Sequence, residues 1–378
     1  TVQTRSYSHQ QSAGPPFVAP TQSVGEFNAA MAHRSGSMVP AAPQTLKQCR
    51  HCEILAHPDE ATFGGYCCQS CYFSAFHGNP VDYGLAPHGP CCLGNFMQSD
   101  YVPSKNARDL EEHWKFRASN GSTNHFGLHV PGLNLEEQTT LSALLTPGRQ
   151  QLPLLVYLHG KGGGTYFEGT SKASWHDPKH SDSHSYCAAK FVVLSPQSSE
   201  NWRDEPGKWI DELIMFMCSL PRINSRRVYL MGYSMGGMAA LSLMSRNLVA
   251  ACVSAAAYRP TAYDDKGHFV GDMWQKKGVR GWADVASGIA DNIKKGSVLR
   301  CYHGKNDERC CPDDIAKFWA QISRELRKNH QLDSTNLETS MQEGTHTSLY
   351  KDVVWDRKVY DWLLKHKLPH SPQAPKRK

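Results

Sequence analysis

The sequence predicts an α/β domain, a mostly parallel central sheet with helices on both faces, preceded by a small Cys-rich module. Three observations carry this. From residue 126 onward, short apolar runs alternate with segments whose apolar residues repeat at helical spacing. One of those runs, Arg227-Val228-Tyr229-Leu230-Met231, passes straight into Gly232-Tyr233-Ser234-Met235-Gly236 and then into a stretch of helical composition. Cysteines, thirteen in all, are concentrated ahead of this region, with seven of them between Cys49 and Cys92.

Composition bounds the rest. A chain of 378 residues with 40% hydrophobic and 20% charged residues can bury a large core and still carry an appendage. A formal charge of +6 is mild, and part of it lies in the basic tail at 369–378, so nucleic acid is not an expected partner. No apolar run approaches the ~18–20 residues of a membrane span. No signal peptide is visible, and a cytoplasmic location is slightly favoured.

Residues 1–44, rich in Pro, Ser, Gln, Ala and His without hydrophobic periodicity, are expected to be a disordered tail. Residues 45–100 hold Cys49-x-x-Cys52 and Cys68-x-x-Cys71, separated by 15 residues. That is the spacing of a four-thiolate structural zinc site, with each knuckle offering two sulfurs to one tetrahedral ion. His88 and Cys91 are candidates for a second site, and Cys67, His77 and Cys92 are also at hand. Disulfides and free thiols are the alternatives. The module has little positive charge, so a protein partner is the expected docking role.

Residues 101–125 read as a polar connector. Phe126, Leu128 and Val130 alternate, as do Leu141, Ala143 and Leu145, which predicts two opening antiparallel strands. Leu154-Leu155-Val156-Tyr157-Leu158 is a buried strand that ends in His159-Gly160-Lys161-Gly162-Gly163-Gly164. The Walker pattern is absent, so this glycine-rich turn is read as aiming backbone N–H groups at an oxyanion. Further strands are expected near 191–194, 249–257, 297–302 and 337–341. Helices are expected from Trp209-Leu213-Phe216-Met217-Leu220, from Ile315-Phe318-Trp319-Ile322-Leu326, and from Trp355-Val359-Trp362-Leu363. His176, His180 and His184 stand four apart among turn-forming residues and read as a solvated loop. The insertion at 258–296, with Trp274 and Trp282, is either a lid or ordinary helix packing. Trp202 and Gly162 are candidates for the substrate pocket. Cys310 and Cys311 form a bridge or are simply buried.

The pentapeptide is the chemical centre. Between strand and helix, Gly-x-Ser-x-Gly forces so tight a turn that its serine is strained and its hydroxyl stands clear of the sheet. A serine hydroxyl needs a base, and the base an orienting acid. The acid is expected on the loop after 297–302, where Asp307 leads its rivals Glu308, Asp313 and Asp314. The base is expected after 337–341, where His346 is favoured over His330, which precedes that strand.

With those residues in place, the region 126–368 resembles the α/β-hydrolase superfamily, and within it the carboxylesterase, acyl-protein thioesterase and dienelactone hydrolase group. The motifs carrying the resemblance are Leu158-His159-Gly160, Gly232-Tyr233-Ser234-Met235-Gly236-Gly237, His303-Gly304-Lys305-Asn306-Asp307 and Gly344-Thr345-His346. It implies the α/β-hydrolase fold and a serine esterase or thioesterase with no cofactor for catalysis. It assigns Ser234 as nucleophile, His346 as base and Asp307 as acid. The oxyanion donors would be the N–H groups of Met235 and Lys161, with Gly162 an alternative for the second. A catalytically idle interaction protein, and a peptidase or acyltransferase on the same scaffold, are the competing readings.

Overall fold

The computed structural model describes residues 96–98, 112–132, 140–145, 150–160, 181–198, 202, 208–257, 261–263, 269–272, 282–328 and 336–371. The expected tail at 1–44, most of the Cys-rich stretch at 45–100 and residues 372–378 of the basic tail lie outside them.

The sheet has nine strands among the described residues. They are β1 (Phe96–Gln98), β2 (Glu112–Arg117), β3 (Thr123–His129), β4 (Leu152–Leu158), β5 (Val192–Pro196), β6 (Ile223–Tyr233), β7 (Ala251–Ala255), β10 (Val298–Gly304) and β11 (Leu337–Gln342). Their spatial order is β1-β2-β3-β5-β4-β6-β7-β10-β11. The pairs β1·β2, β2·β3 and β3·β5 are antiparallel. From β5 to β11 every pair is parallel. A short antiparallel pair, β8 (Thr261–Tyr263) with β9 (Phe269–Asp272), stands apart.

The parallel strands are apolar on both sides because both faces are covered. In β4, Leu154, Val156 and Leu158 enter one core cluster, and Leu155 and Tyr157 enter the other. In β6, Val228 and Leu230 divide from Tyr229 and Met231 in the same way. The first cluster is closed by residues of α1 (Thr140–Leu145), α3 (Lys208–Ser219), α4 (Met235–Arg246), α5 (Trp282–Lys294) and α6 (Pro312–Arg327). The second is closed by Cys187 of α2 (Ser181–Lys190), by Leu349 of α7 (His346–Leu349), by Val353 and Val354 of the π-helical turn Tyr350–Val354, and by α8 (Arg357–Lys365). This topology is the α/β-hydrolase fold.

Three local expectations change. The stretch 101–125, read as a connector, contains β2, and 96–98 supplies the strand beside it. Trp114 and Phe116 alternate into the core, a period-2 signal diluted by Glu112, Lys115 and Arg117. Residues 140–145 form a helix rather than a strand, since Leu144 is as buried as Ala143 and Leu145, which alternation cannot produce. The loop expected around His176, His180 and His184 becomes α2 from Ser181 onward, and 176 and 180 lie outside the described residues.

In the insertion at 258–296, Trp282 starts α5 and its ring lies 6.1 Å from Phe318, so that part is helix packing. Trp274 is outside the described residues.

Candidate active site

Parallel strands deliver their following loops to one edge of the sheet, and four of those loops meet here. Ser234 follows β6 directly, with φ 56° and ψ −120°. This is a conformation that side-chain-bearing residues avoid, and only a structure that fixes it from several sides retains it. The fixing is visible. The Ser234 N–H donates to Ala255 O at the end of β7 (2.8 Å), and Ser234 O accepts the first helical bond of α4 from the Met238 N–H (3.1 Å). The flanking glycines are compulsory. A Cβ on Gly232 would lie 2.1 Å from Gly236 O, and one on Gly236 would lie 1.9 Å from Leu158 O. Serine at a helix N-cap usually turns its oxygen onto the helix's own N–H groups. Ser234 makes no such bond.

Its hydroxyl instead meets His346, with Nε2 to Oγ at 3.0 Å. On the far side of the ring, His346 Nδ1–H donates to Asp307 Oδ2 at 2.8 Å. Asp307 Oδ1 accepts from the N–H groups of Arg309 and Cys310, each at 2.9 Å. All three side chains are buried, with exposures of 8% for Ser234, 2% for His346 and 7% for Asp307. In so dry a setting hydrogen bonds to a charged carboxylate strengthen. Such a chain can move a proton from hydroxyl to imidazole while the carboxylate holds the ring.

The histidine is seated on a one-turn helix. Thr345 and Ser348 form a reciprocal capping box around it, and the His346 N–H donates to Glu308 Oε2 at 3.4 Å. Of the rivals for the acid, Glu308 thus touches the histidine's backbone and not its ring. Asp313 and Asp314 lie in the first turn of α6. His330 is outside the described residues.

Met235 is the first residue of α4, so its N–H belongs to the first turn, whose donors have no intrahelical acceptor. Lys161 and Gly162 lie outside the described residues, as do Cys49, Cys52, Cys68, Cys71, His88 and Cys91.

Three neighbours had no role assigned from sequence. The first is His159, 2% exposed, at the exit of β4. Its Nδ1–H donates to Gly160 O (2.8 Å) and its Nε2 accepts from the Ser198 N–H (3.0 Å). Burial lowers its pKa to about 4, so it is a neutral imidazole with a fixed tautomer. Trp202, expected in the substrate pocket, is 3% exposed with φ 56°, and its indole N–H donates to His159 O at 2.8 Å. It anchors the exit of β4 through that bond.

The second is His303, fully buried, whose Nε2–H donates to Cys310 O at 3.0 Å and lies 3.7 Å from Asp307 Oδ2. Desolvation lowers its pKa, and the neutral ring pins the loop that carries Asp307. The third is Tyr233, between Gly232 and Ser234, in contact with His346. The signal for all three was their place inside the quoted motifs, next to residues that had been given roles.

Cys310 is buried with its thiol pKa pushed up by desolvation, and Cys311 is exposed; both are free thiols. Asp307, Cys310 and His346 are the one group of three potential metal ligands with atoms within 4.8 Å of one another among the described residues. Both carboxylate oxygens and His346 Nδ1 are already engaged in the contacts above.

No protein-family model and no curated protein matches the chain. Solved structures similar to it include a thermostable esterase (16% identity, TM-score 0.45), covering 68% of this chain and 63% of that one. FphF, a fluorophosphonate-binding serine hydrolase of Staphylococcus aureus, has 13% identity and a TM-score of 0.47, covering 67% of this chain and 98% of that one. Dipeptidyl peptidase 4 of Porphyromonas gingivalis has 15% identity and a TM-score of 0.47, covering 68% of this chain and 35% of that one. The chain therefore spans less than two thirds of the esterase and about a third of the peptidase. Among the described residues no helix is long and apolar enough to cross a membrane.

Proposed function

We propose that this protein is a serine hydrolase that cleaves a carboxylic ester or thioester through an acyl-enzyme. The observation that carries the reading is the unbroken hydrogen-bonded chain from Ser234 Oγ to His346 Nε2, and from His346 Nδ1 to Asp307 Oδ2, built on a strained serine that does not cap its own helix. Ser234 Oγ attacks the substrate carbonyl carbon as its proton passes to His346 Nε2. Asp307 stabilises the imidazolium without taking its proton. The carbonyl oxygen, now an oxyanion, is met by the N–H of Met235 and by a second N–H from Lys161 or Gly162. Collapse expels the alcohol or thiol, which takes the proton from His346. Water, deprotonated by the same imidazole, then releases the acid and restores Ser234.

No cofactor enters this sequence. Structural zinc in the Cys-rich module, held by Cys49, Cys52, Cys68 and Cys71, with His88 and Cys91 as candidates for a second site, belongs to the proposal as a separate element. A protein partner of that module belongs with it.

The test is labelling with a fluorophosphonate probe, followed by hydrolysis of p-nitrophenyl esters of graded chain length, matching thioesters and peptide p-nitroanilides. Labelling is expected in the wild type and absent in Ser234→Ala, with esters and thioesters turned over. A folded wild type that neither labels nor hydrolyses any of these supports the idle interaction protein instead. Turnover confined to the anilides would make it a peptidase.

A further inference from the structure

We propose that Tyr233 is a positioning residue for the base, a phenolic strut that sets the reach of His346 from the same strand that carries the nucleophile. The inference rests on the roles proposed for Ser234 and His346. Tyr233 is the last residue of β6, covalently next to Ser234. Its hydroxyl donates to the backbone carbonyl of His346 at 2.7 Å, and its ring packs on the His346 imidazole with centroids 5.1 Å apart. Tyr350 lies against the Tyr233 ring at 4.9 Å, and Trp355 lies against Tyr350 at 5.1 Å. The Tyr233 ring also lies close to the exit of β4, since a Cβ on Gly160 would lie 3.3 Å from its Cδ1.

The base needs such support. α7 has four residues before the chain turns π-helical at Tyr350–Val354, so its own α-helical bonds fix His346 only weakly. It follows β11, the last strand of the sheet. Among the described residues, the other hydrogen bonds to the backbone of this turn involve Thr345, Ser348 and Glu308, which follow β10 and β11. The Tyr233 bond alone among them runs to β6. It ties the backbone of the base to the nucleophile through one hydrogen bond and one peptide link, whereas the route through the sheet crosses β10 and β7. Misplacing a reacting group by about 1 Å can cost on the order of 10²-fold in rate. Burial holds the phenol well above its ordinary pKa, so the donor keeps its proton throughout an assay range.

Tyr233→Phe keeps the ring and removes the bond, and Tyr233→Leu removes both. Turnover of a p-nitrophenyl ester is measured per burst equivalent of p-nitrophenol, so that unfolded protein does not enter. The expected result for Tyr233→Phe is a fall in kcat of about tenfold to a hundredfold with KM within about twofold, since the strut touches the base and not the substrate. Tyr233→Leu falls further, and the rate of fluorophosphonate labelling falls in the same proportion as kcat. A kcat for Tyr233→Phe within about twofold of an active wild type overturns the inference while leaving the proposed function intact. So does a loss expressed in KM alone. A wild type without activity sinks the proposed roles of Ser234 and His346, and the strut with them.

Discussion

Stability is expected to fall as pH drops from about 6.5 to about 4, with the buried imidazole of His159 responsible for a separable part. In the folded chain its pKa is lowered from 6.5 to about 4 by burial, while in the unfolded chain it returns to the ordinary imidazole value of about 6.5. Above pH 6.5 neither state binds the proton and His159 contributes no pH dependence. Between the two values the unfolded state binds a proton that the folded state refuses, so each unit of acidification favours unfolding by up to about 1.4 kcal/mol. Over the whole window, 6.5 down to about 4, the loss sums to about 3 kcal/mol, and below it nothing more is lost. The geometry explains the refusal: a proton on Nε2 would face the Ser198 N–H that now donates to it. Urea unfolding at several pH values, for wild type and His159→Gln, isolates the term from the carboxylates and from His303, which burial also lowers. The variant is expected to be less stable at pH 7.5 and to lose less on acidification, so that the two curves converge by about 3 kcal/mol toward pH 4. Parallel curves across the window would falsify the assignment.

The remaining predictions concern the site and the module. Ser234→Gly abolishes turnover and raises stability by about 1–2 kcal/mol, because glycine accepts φ 56° where serine stores strain of order 1–3 kcal/mol; a destabilised variant in urea unfolding would remove the strain argument. Asp307→Asn folds normally but lowers kcat by about 10⁴, since the amide cannot hold the imidazole in the tautomer that accepts the serine proton; kcat within tenfold of wild type would contradict it. Protein purified under reducing conditions is expected to carry zinc by elemental analysis, lost in Cys49→Ser with Cys68→Ser. Chelation should leave ester hydrolysis unchanged, and a metal-free protein, prepared without reductant, whose Cys49, Cys52, Cys68 and Cys71 resist alkylation would identify disulfides instead.

Much of this architecture was legible because its signals are local. A fully buried parallel strand is apolar at every position, as in Leu154 to Leu158, and a helix laid on one face repeats at 3–4, as in Ile315, Phe318, Trp319 and Ile322. The serine, aspartate and histidine that meet at the site were legible because parallel strands force their exits to one edge, whatever the sequence distance. Ser234 and His346 are 112 residues apart and share a hydrogen bond. Failure came where a signal was short or shared. Trp114 and Phe116 alternate for less than one turn of evidence among charges, and Leu141, Ala143 and Leu145 fit period 2 only if Leu144 is ignored. The roles of His159, Tyr233 and His303 were out of reach for a different reason. Each acts through a backbone carbonyl, of Gly160, His346 and Cys310 respectively, and a carbonyl leaves no mark on residue type.

That observation bears on where the strain at the site is held. Trp202, Ser234 and Ala256 are the non-glycine residues with positive φ among those described, and they follow β5, β6 and β7 at the edge where the site lies. Each is tied down by a main-chain N–H bond: Trp202 to Ser198 Oγ, Ser234 to Ala255 O and Ala256 to Tyr302 O. Trp202 also bonds His159, so the exits of β4 and β5 are coupled, while Ala256 couples β7 to β10. A strained residue of this kind costs of order 1–3 kcal/mol, which no single loop hydrogen bond of about 1 kcal/mol sustains. The cost is carried by the sheet, whose strands fold as a unit and whose apolar faces oppose any relaxation of their ends. The serine is therefore held in place by the burial of residues such as Leu230, Met231 and Val253 within the sheet. A cavity made there, as in Leu230→Ala, is expected to lower stability by about 2–5 kcal/mol and leave kcat per folded molecule nearly unchanged, because the elbow is either formed with the sheet or absent with it.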